Sequence, residues 1–301
     1  MNPRPLAIVT GANNGFGYSA AELLLQRGTD VILACRSEAR GAAAAAALAK
    51  AHAGSACGTP TFMAIDLGDL ASVASFAAAF LALNRPLALL IANAGIACLG
   101  ARELTAQGFE STVGTNHLGH AALFNLLLPH LKASRTRVVA VGSMIHKNGA
   151  APAGTPMDAA SGWAAYANSK LLNSVWALEV QRRFAAEGVS ANSVHPGAGL
   201  YTGLGPKGWG AWLLRATIVP LLTPLMWAVG FSQTWREGGV AELAAADAAE
   251  GGLYFHRHWV SQASEHARDA ATGAWVWEET QRVLREAAAK HGLPAGIAAA
   301  E

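Results

Sequence analysis

Tyr166 and Lys170 stand four positions apart in the 301-residue chain. On an α-helix that spacing sets both side chains on one face, one turn apart. A free phenol has a pKa of about 10, too high for an efficient base near neutrality, and an ammonium held beside it favours the phenolate. Such a pair can give a proton to a forming alkoxide or take one from an alcohol. Seen alone, a Tyr–Lys pair at this spacing is more often a surface contact. Ser143 adds to the pattern. It follows the apolar run 137–141 and Gly142, so its hydroxyl is expected at a strand end, where it could bond a substrate oxygen and stabilise developing charge.

A second chemistry is written at the start of the chain. Thr10-Gly11-Ala12-Asn13-Asn14-Gly15-Phe16-Gly17 lies between an apolar run and a helix-like stretch. Glycines permit a tight turn and close approach of backbone to a pyrophosphate, and a helix N-terminus offers free N–H groups and a positive dipole end. The spacing is G-x-x-x-G-x-G; the strand before and the helix after supply the context a dinucleotide site needs. The second apolar run ends at Cys35-Arg36, with Arg40 one helical turn on. A carboxylate there would favour NAD; guanidinium groups suit a 2′-phosphate, which predicts NADP(H).

The elements that must position these groups read as alternating strands and helices. Strands are predicted over 6–10, 30–34, 61–65, 87–92, 137–141, 189–194 and 251–255. Helices are predicted over 19–27, 38–51, 70–83, 164–187, 237–248 and 278–290, with a long helical region over 103–132 interrupted near Asn116. Continuous apolar strands between helices imply a parallel sheet covered on both faces. The expectation is one α/β domain over 1–301, a doubly wound Rossmann-type sheet of about seven parallel strands with ligands at their carboxyl ends. The stretch 209–231 is long and apolar but contains Arg215, Pro220 and Pro224. It is expected as a substrate-covering helical lid within about 199–237, with a peripheral membrane contact as the alternative. The tail after 290 is expected to fray.

Composition bounds the partners. Hydrophobic residues make up 52% and charged residues 14%, and 22 Lys+Arg against 20 Asp+Glu leave +2. Disorder and general nucleic-acid binding are excluded. Three scattered cysteines fit a reduced, cytoplasmic setting, and the N-terminal residues lack a secretory layout. No His/Asp/Glu cluster has metal spacing, so no metal is expected, and His117, His120 and His195 read as structural or pocket-lining.

Taken together, the glycine loop, Asp66-Leu67, Asn93-Ala94-Gly95, Asn116, Ser143, Tyr166-Ala167-Asn168-Ser169-Lys170 and Pro196-Gly197 resemble the short-chain dehydrogenase/reductases over most of residues 5–285. Asn116-His117-Leu118-Gly119-His120 and His195-Pro196-Gly197 look like the branch of retinol dehydrogenases, WW-domain oxidoreductases and protochlorophyllide reductases. The resemblance implies hydride transfer with nicotinamide, with Tyr166 as acid/base and Ser143 on the substrate oxygen. It gives Lys170 the ribose hydroxyls and Asn116 a water-holding role joining Lys170 to solvent. It implies Asp66 and Leu67 at the adenine, Asn93, Ala94 and Gly95 along the cofactor, and Pro196, Gly197 and Thr202 at the nicotinamide. The interval from Ser143 to Tyr166 is longer than in many members, so 149–162 is expected as an inserted loop near the pocket. The expected substrate is a bulky apolar alcohol or carbonyl: retinoid-, steroid- or aromatic-ketone-like. Light-dependent protochlorophyllide reduction and a non-catalytic NADP(H) sensor are the alternatives. The resemblance leaves homodimer and monomer open.

Overall fold

Short apolar runs bounded by glycine and polar turns form the strands of this computed structural model, which describes residues 3–54, 56–150, 157–198 and 234–298. They are β1 (Leu6–Thr10), β2 (Asp30–Cys35), β3 (Pro60–Ala64), β4 (Leu89–Ala92), β5 (Arg137–Val141), β6 (Ser190–His195), β7 (Tyr254–His256) and β8 (Trp259–Ser261). Their order across the sheet is β3-β2-β1-β4-β5-β6-β7-β8. The first seven pair in parallel. The eighth corrects the expected sheet: β8 returns antiparallel on β7, with His256 opposite Trp259. Its three residues are all exposed, so it carries no apolar run or alternation that would mark a strand.

The helices are α1 (Gly15–Gln26), α2 (Glu38–Ala51), α3 (Leu70–Leu81), α4 (Ser111–Val113), α5 (Gly119–Ser134), α6 (Gly162–Phe184), α7 (Trp235–Asp247), α8 (Glu265–Arg268) and α9 (Ala270–His291). Two apolar layers result, as a doubly wound sheet requires. Ile8, Leu90, Phe124, Val175 and Leu284 belong to the layer under α3, α5, α6 and α9. Val9, Leu24, Leu48, Val139 and Leu243 belong to the opposite layer under α1, α2 and α7.

Three predicted boundaries move for identifiable reasons. The helical region expected from residue 103 starts at Ser111. Residues before it form a turn closed by a Leu104–Glu110 bridge, with Gly108 at φ 88°. Gln107 is also diverted: its side chain accepts from the Leu70 N–H and donates to Asp69, joining the cap of α3. The last helix begins at Ala270 because Asp269 caps it, accepting from the N–H and hydroxyl of Thr272. Beyond it the chain does not fray through 298: Ile297 is buried, and its carbonyl accepts from Asn125. Of the expected lid, 199–233 lies outside the described residues; from Thr234 the chain is α7, opened by a capping box with Glu237. Residues 151–156 of the expected inserted loop also lie outside. No helix among the described residues is long and apolar enough to cross a membrane.

Helix α7 lies directly on α1. A Cβ on Gly239 would meet the Ser19 hydroxyl at 2.7 Å and the Ala20 nitrogen at 2.8 Å. One turn on, Glu242 is fully buried and neither carboxyl oxygen has a hydrogen-bond partner. Burial pushes its pKa from 4.5 up to about 8, against a smaller opposing pull from Lys170. The folded state therefore holds a proton that the unfolded chain gives up above about pH 4.5. The Glu242 contribution to stability therefore falls as pH rises from there to about 8 and is level beyond. Glu242→Gln removes that loss. Its unfolding free energy should match the parent near pH 4 and exceed it increasingly toward pH 8, by on the order of several kcal/mol at most. Chemical denaturation across that range checks both sign and window.

Candidate active site

The sheet order reverses between β1 and β4, and an open α/β sheet forms its crevice at such a point. A cleft of about 1090 Å3 opens there. One end is lined by Arg36, Ser37, Arg40, Asp66 and Leu67; the middle by Gly11, Asn13, Asn14, Gly15, Phe16, Asn93, Ala94 and Gly95; the other end by Ser143, Tyr166, Lys170, Pro196 and Gly197. Residues picked from separate parts of the sequence thus share one surface. Thr202 lies outside the described residues. Gly17 and Asn116 do not line the cleft; both act from beneath it.

Gly17 illustrates how. A Cβ there would stand 2.3 Å from Nδ2 of Asn93. That amide donates to the carbonyl of Thr10 at 2.6 Å, and the Thr10 hydroxyl accepts from the N–H groups of Asn93 and Ala94, each at 2.9 Å. The loops after β1 and β4 are therefore stitched together, and the missing side chain at 17 makes room for the stitch. Gly11 and Gly15 take φ of 68° and 62°, backbone that an L side chain rarely adopts.

Helix α1 starts without a side-chain cap. Asn14 makes no cap bond, whereas Ser37 and Asp69 cap α2 and α3. The first N–H groups of α1 are thus left to a ligand at the positive end of the helix dipole, with Gly15 and Phe16 on the cleft wall. At the far end Arg36 lies 4.0 Å from Asp66, both well exposed, so this loose ion pair leaves the guanidinium available. A pyrophosphate with an extra phosphate on its ribose side suits this donor set.

Helix α6 delivers Tyr166 and Lys170 to the other end. Burial raises the Tyr166 phenol pKa, against a smaller lowering by the neighbouring Ser143 side chain. The Lys170 Nζ lies 5.9 Å from the phenol ring centroid and donates to the carbonyl of Val141 at 2.9 Å. Lys170 is itself buried, which pulls its pKa to about 8, with Glu242 opposing.

Asn116 lies in a π-helical turn, Gly114–Leu118, between α4 and α5. A Cβ on Gly95 would be 3.4 Å from both Asn116 Oδ1 and Lys170 Nζ, so the two side chains meet across that glycine. The Asn116 amide accepts from the Ile96 N–H and donates to the Ile96 carbonyl and the Ser169 hydroxyl. Both amide protons are committed to protein partners. His117 bonds Thr280 and is structural; His195 lines the cleft as expected. No group of three or more potential metal ligands occurs among the described residues.

Sequence reasoning missed Trp163, Met144 and Leu104, which line the catalytic half of the cleft although each is about half exposed. Trp163 could have been found: it precedes Tyr166 by three positions on one helix, and the two rings lie 5.5 Å apart.

Known proteins share this architecture. The family profile described as short chain dehydrogenase matches residues 5–206. The WW domain-containing oxidoreductase of Gallus gallus is 36% identical, over 93% of this chain and 68% of that protein. Retinol dehydrogenase 12 of Homo sapiens is 34% identical, over 94% of this chain and 87% of that protein. The crystal structure of an uncharacterized protein from Mycobacterium Paratuberculosis superposes with a TM-score of 0.67 at 31% identity, covering 93% of this chain and 92% of that one. With a dinucleotide-shaped cleft, a Ser–Tyr–Lys group at one end and relatives spanning nearly its whole length, the chain belongs to the short-chain dehydrogenases, oxidoreductases that work with nicotinamide cofactors.

Proposed function

We propose that the protein is an NADP(H)-dependent oxidoreductase acting on a bulky apolar carbonyl or alcohol, with Tyr166 as its acid/base. The observation that carries this reading is the convergence of Ser143, Tyr166 and Lys170 in the same cleft as Arg36 and Arg40. When bound, the nicotinamide supplies or accepts the hydride. Ser143 and Tyr166 hold the substrate oxygen between two hydroxyl donors, and the phenol gives its proton to the alkoxide as it forms. Lys170, below them, steadies the ribose hydroxyls and later returns the proton. Asn116 acts from one layer deeper, bracing the Ile96 backbone and Ser169.

Arg36 and Arg40 support NADP(H) over NAD(H), since no carboxylate ends β2 and two guanidinium groups face the adenosine end of the cleft. Trp163, Met144 and Leu104 support an apolar substrate: large apolar side chains left exposed around a donor pair suit a ligand that covers them. The similarity to retinol dehydrogenase 12 points the same way.

Purified protein should oxidise NADPH in the dark with retinal, a steroid ketone or an aromatic ketone. Tyr166→Phe should lower turnover by about 10²–10⁴-fold. Turnover that survives in this variant, or that appears with protochlorophyllide alone and needs light, would overturn the assignment. Trp163→Ala should raise KM for the apolar substrate with little change in kcat, the mark of lost ground-state binding. The double substitution Arg36→Ala, Arg40→Ala should reduce the preference for NADPH over NADH by about tenfold or more, read by fluorescence titration of both cofactors, because each charge-assisted bond contributes roughly 1.5–3 kcal/mol.

A further inference from the structure

His120 is a buried polar group that the mechanism above does not use. It stands in the first turn of α5, just past the π turn, and lines no part of the cleft. Its Nδ1 lies 2.9 Å from the backbone carbonyl of Asn116. A carbonyl can only accept, so Nδ1 carries the ring proton. Nε2 must then accept, and the Thr10 hydroxyl stands 2.9 Å from it. The same hydroxyl already accepts from the N–H groups of Asn93 and Ala94. Its own proton is free to point at Nε2; the alternative acceptor, the Ile91 carbonyl, is farther away at 3.4 Å. One tautomer satisfies every group. The bonds run in one direction, from the Asn93 and Ala94 amides through Thr10 and the imidazole to the Asn116 carbonyl, an arrangement in which each bond polarises the next. Burial keeps the ring neutral near physiological pH, its pKa lowered to about 4.

The two ends of this chain of bonds are the two halves of the site. Thr10 leads into the glycine loop, and Asn93 and Ala94 form the cofactor floor beside it. Asn116 braces Ile96 and reaches Ser169, whose hydroxyl donates to the carbonyl of Tyr166 at 2.8 Å. We propose that His120 is a positioning residue that sets the cofactor floor in register with the helix carrying Tyr166 and Lys170. The proposal rests on the roles given above to Tyr166 and Asn116. It assigns the two ring nitrogens separate effects: Nε2 on cofactor binding, through Thr10, and Nδ1 on the chemical step, through Asn116.

Two amide substitutions separate them. The His120→Asn side chain places its amide near the position of Nδ1, and that of His120→Gln near the position of Nε2. With His120→Asn, the NADPH dissociation constant from fluorescence titration should rise about tenfold, while kcat at saturating NADPH stays within about threefold of the parent. With His120→Gln, NADPH affinity should stay near the parent value and kcat should fall about tenfold. His120→Phe fills the same space without either bond and should show both losses if it folds. A fall in thermal midpoint in the two amide variants with affinity and kcat unchanged would make the ring a core filler and overturn the proposal, as would identical losses in both. The affinity measurements need no turnover. If Tyr166→Phe proves fully active, the functional reading fails while the assignment of Nε2 to cofactor binding is still read.

Discussion

The close approach of two backbones carries this structure: the loop leaving β1 and the loop leaving β4. The strand order reverses between them, so their connections diverge to opposite faces and leave a crevice that side chains do not fill. A crevice of that kind binds a dinucleotide only if its floor is flat backbone. Here the floor is made rigid by the Thr10 hydroxyl, which accepts two N–H groups from the neighbouring loop, and by Asn93, which returns a bond to the Thr10 carbonyl. The substitution pattern follows from the distances. Any side chain at 17 would take the place of the Asn93 amide, and one at 11 would demand a backbone conformation with φ of 68°.

The catalytic end solves a harder electrostatic problem. Lys170 is almost completely buried at the carboxyl end of an interior strand, where an isolated ammonium is costly. It is tolerated because β5 ends there and leaves the Val141 carbonyl to accept its proton at 2.9 Å. The site responds to the remaining cost by lowering the Lys170 pKa to about 8 and raising that of Glu242, its electrostatic partner on α7, to about the same value. Burial outweighs pairing at both groups. The same balance holds at Tyr166, where desolvation exceeds the opposing influence of the Ser143 side chain.

Much of this was legible in the sequence, for a physical reason. Parallel strands buried on both faces are continuous apolar runs, so β1, β2, β4, β5 and β6 stand out against their helices. The residues of the cleft were legible because strand carboxyl ends are where such runs stop, and Thr10, Arg36, Asn93, Ser143 and Pro196 all fall at those stops. The errors arose where a three-dimensional partner overrides local pattern. β8 exists because β7 offers it an edge, not because Trp259–Ser261 reads as a strand. Residues 103–110 have helix-like composition, but Gln107 is drawn away to the cap of α3. The burial that raises the Tyr166 pKa is likewise not revealed by spacing. The role of Thr10 and the histidine behind it could not be read, since neither residue forms a spaced motif with its partners.

The π turn at Asn116 shows how tightly packing and chemistry are joined. A regular α-helix through 111–134 would keep one face of this region against the core without a break. Instead the N–H of Gly119 bonds to the carbonyl of Gly114, five residues back, which inserts one extra residue into the turn. The two glycines that bound it are both pressed. A Cβ on Gly119 would come within 2.2 Å of the Leu67 carbonyl, and one on Gly114 within 2.4 Å of the Thr105 side chain. The helix therefore enters the wall of the cleft at two points where it has no side chains, and the extra residue is accommodated between them. That residue's worth of rotation turns the Asn116 amide toward Ile96 and Ser169 and leaves its carbonyl to His120. Leu67, which lines the cleft, is thus also the stop against which the turn at Asn116 is set.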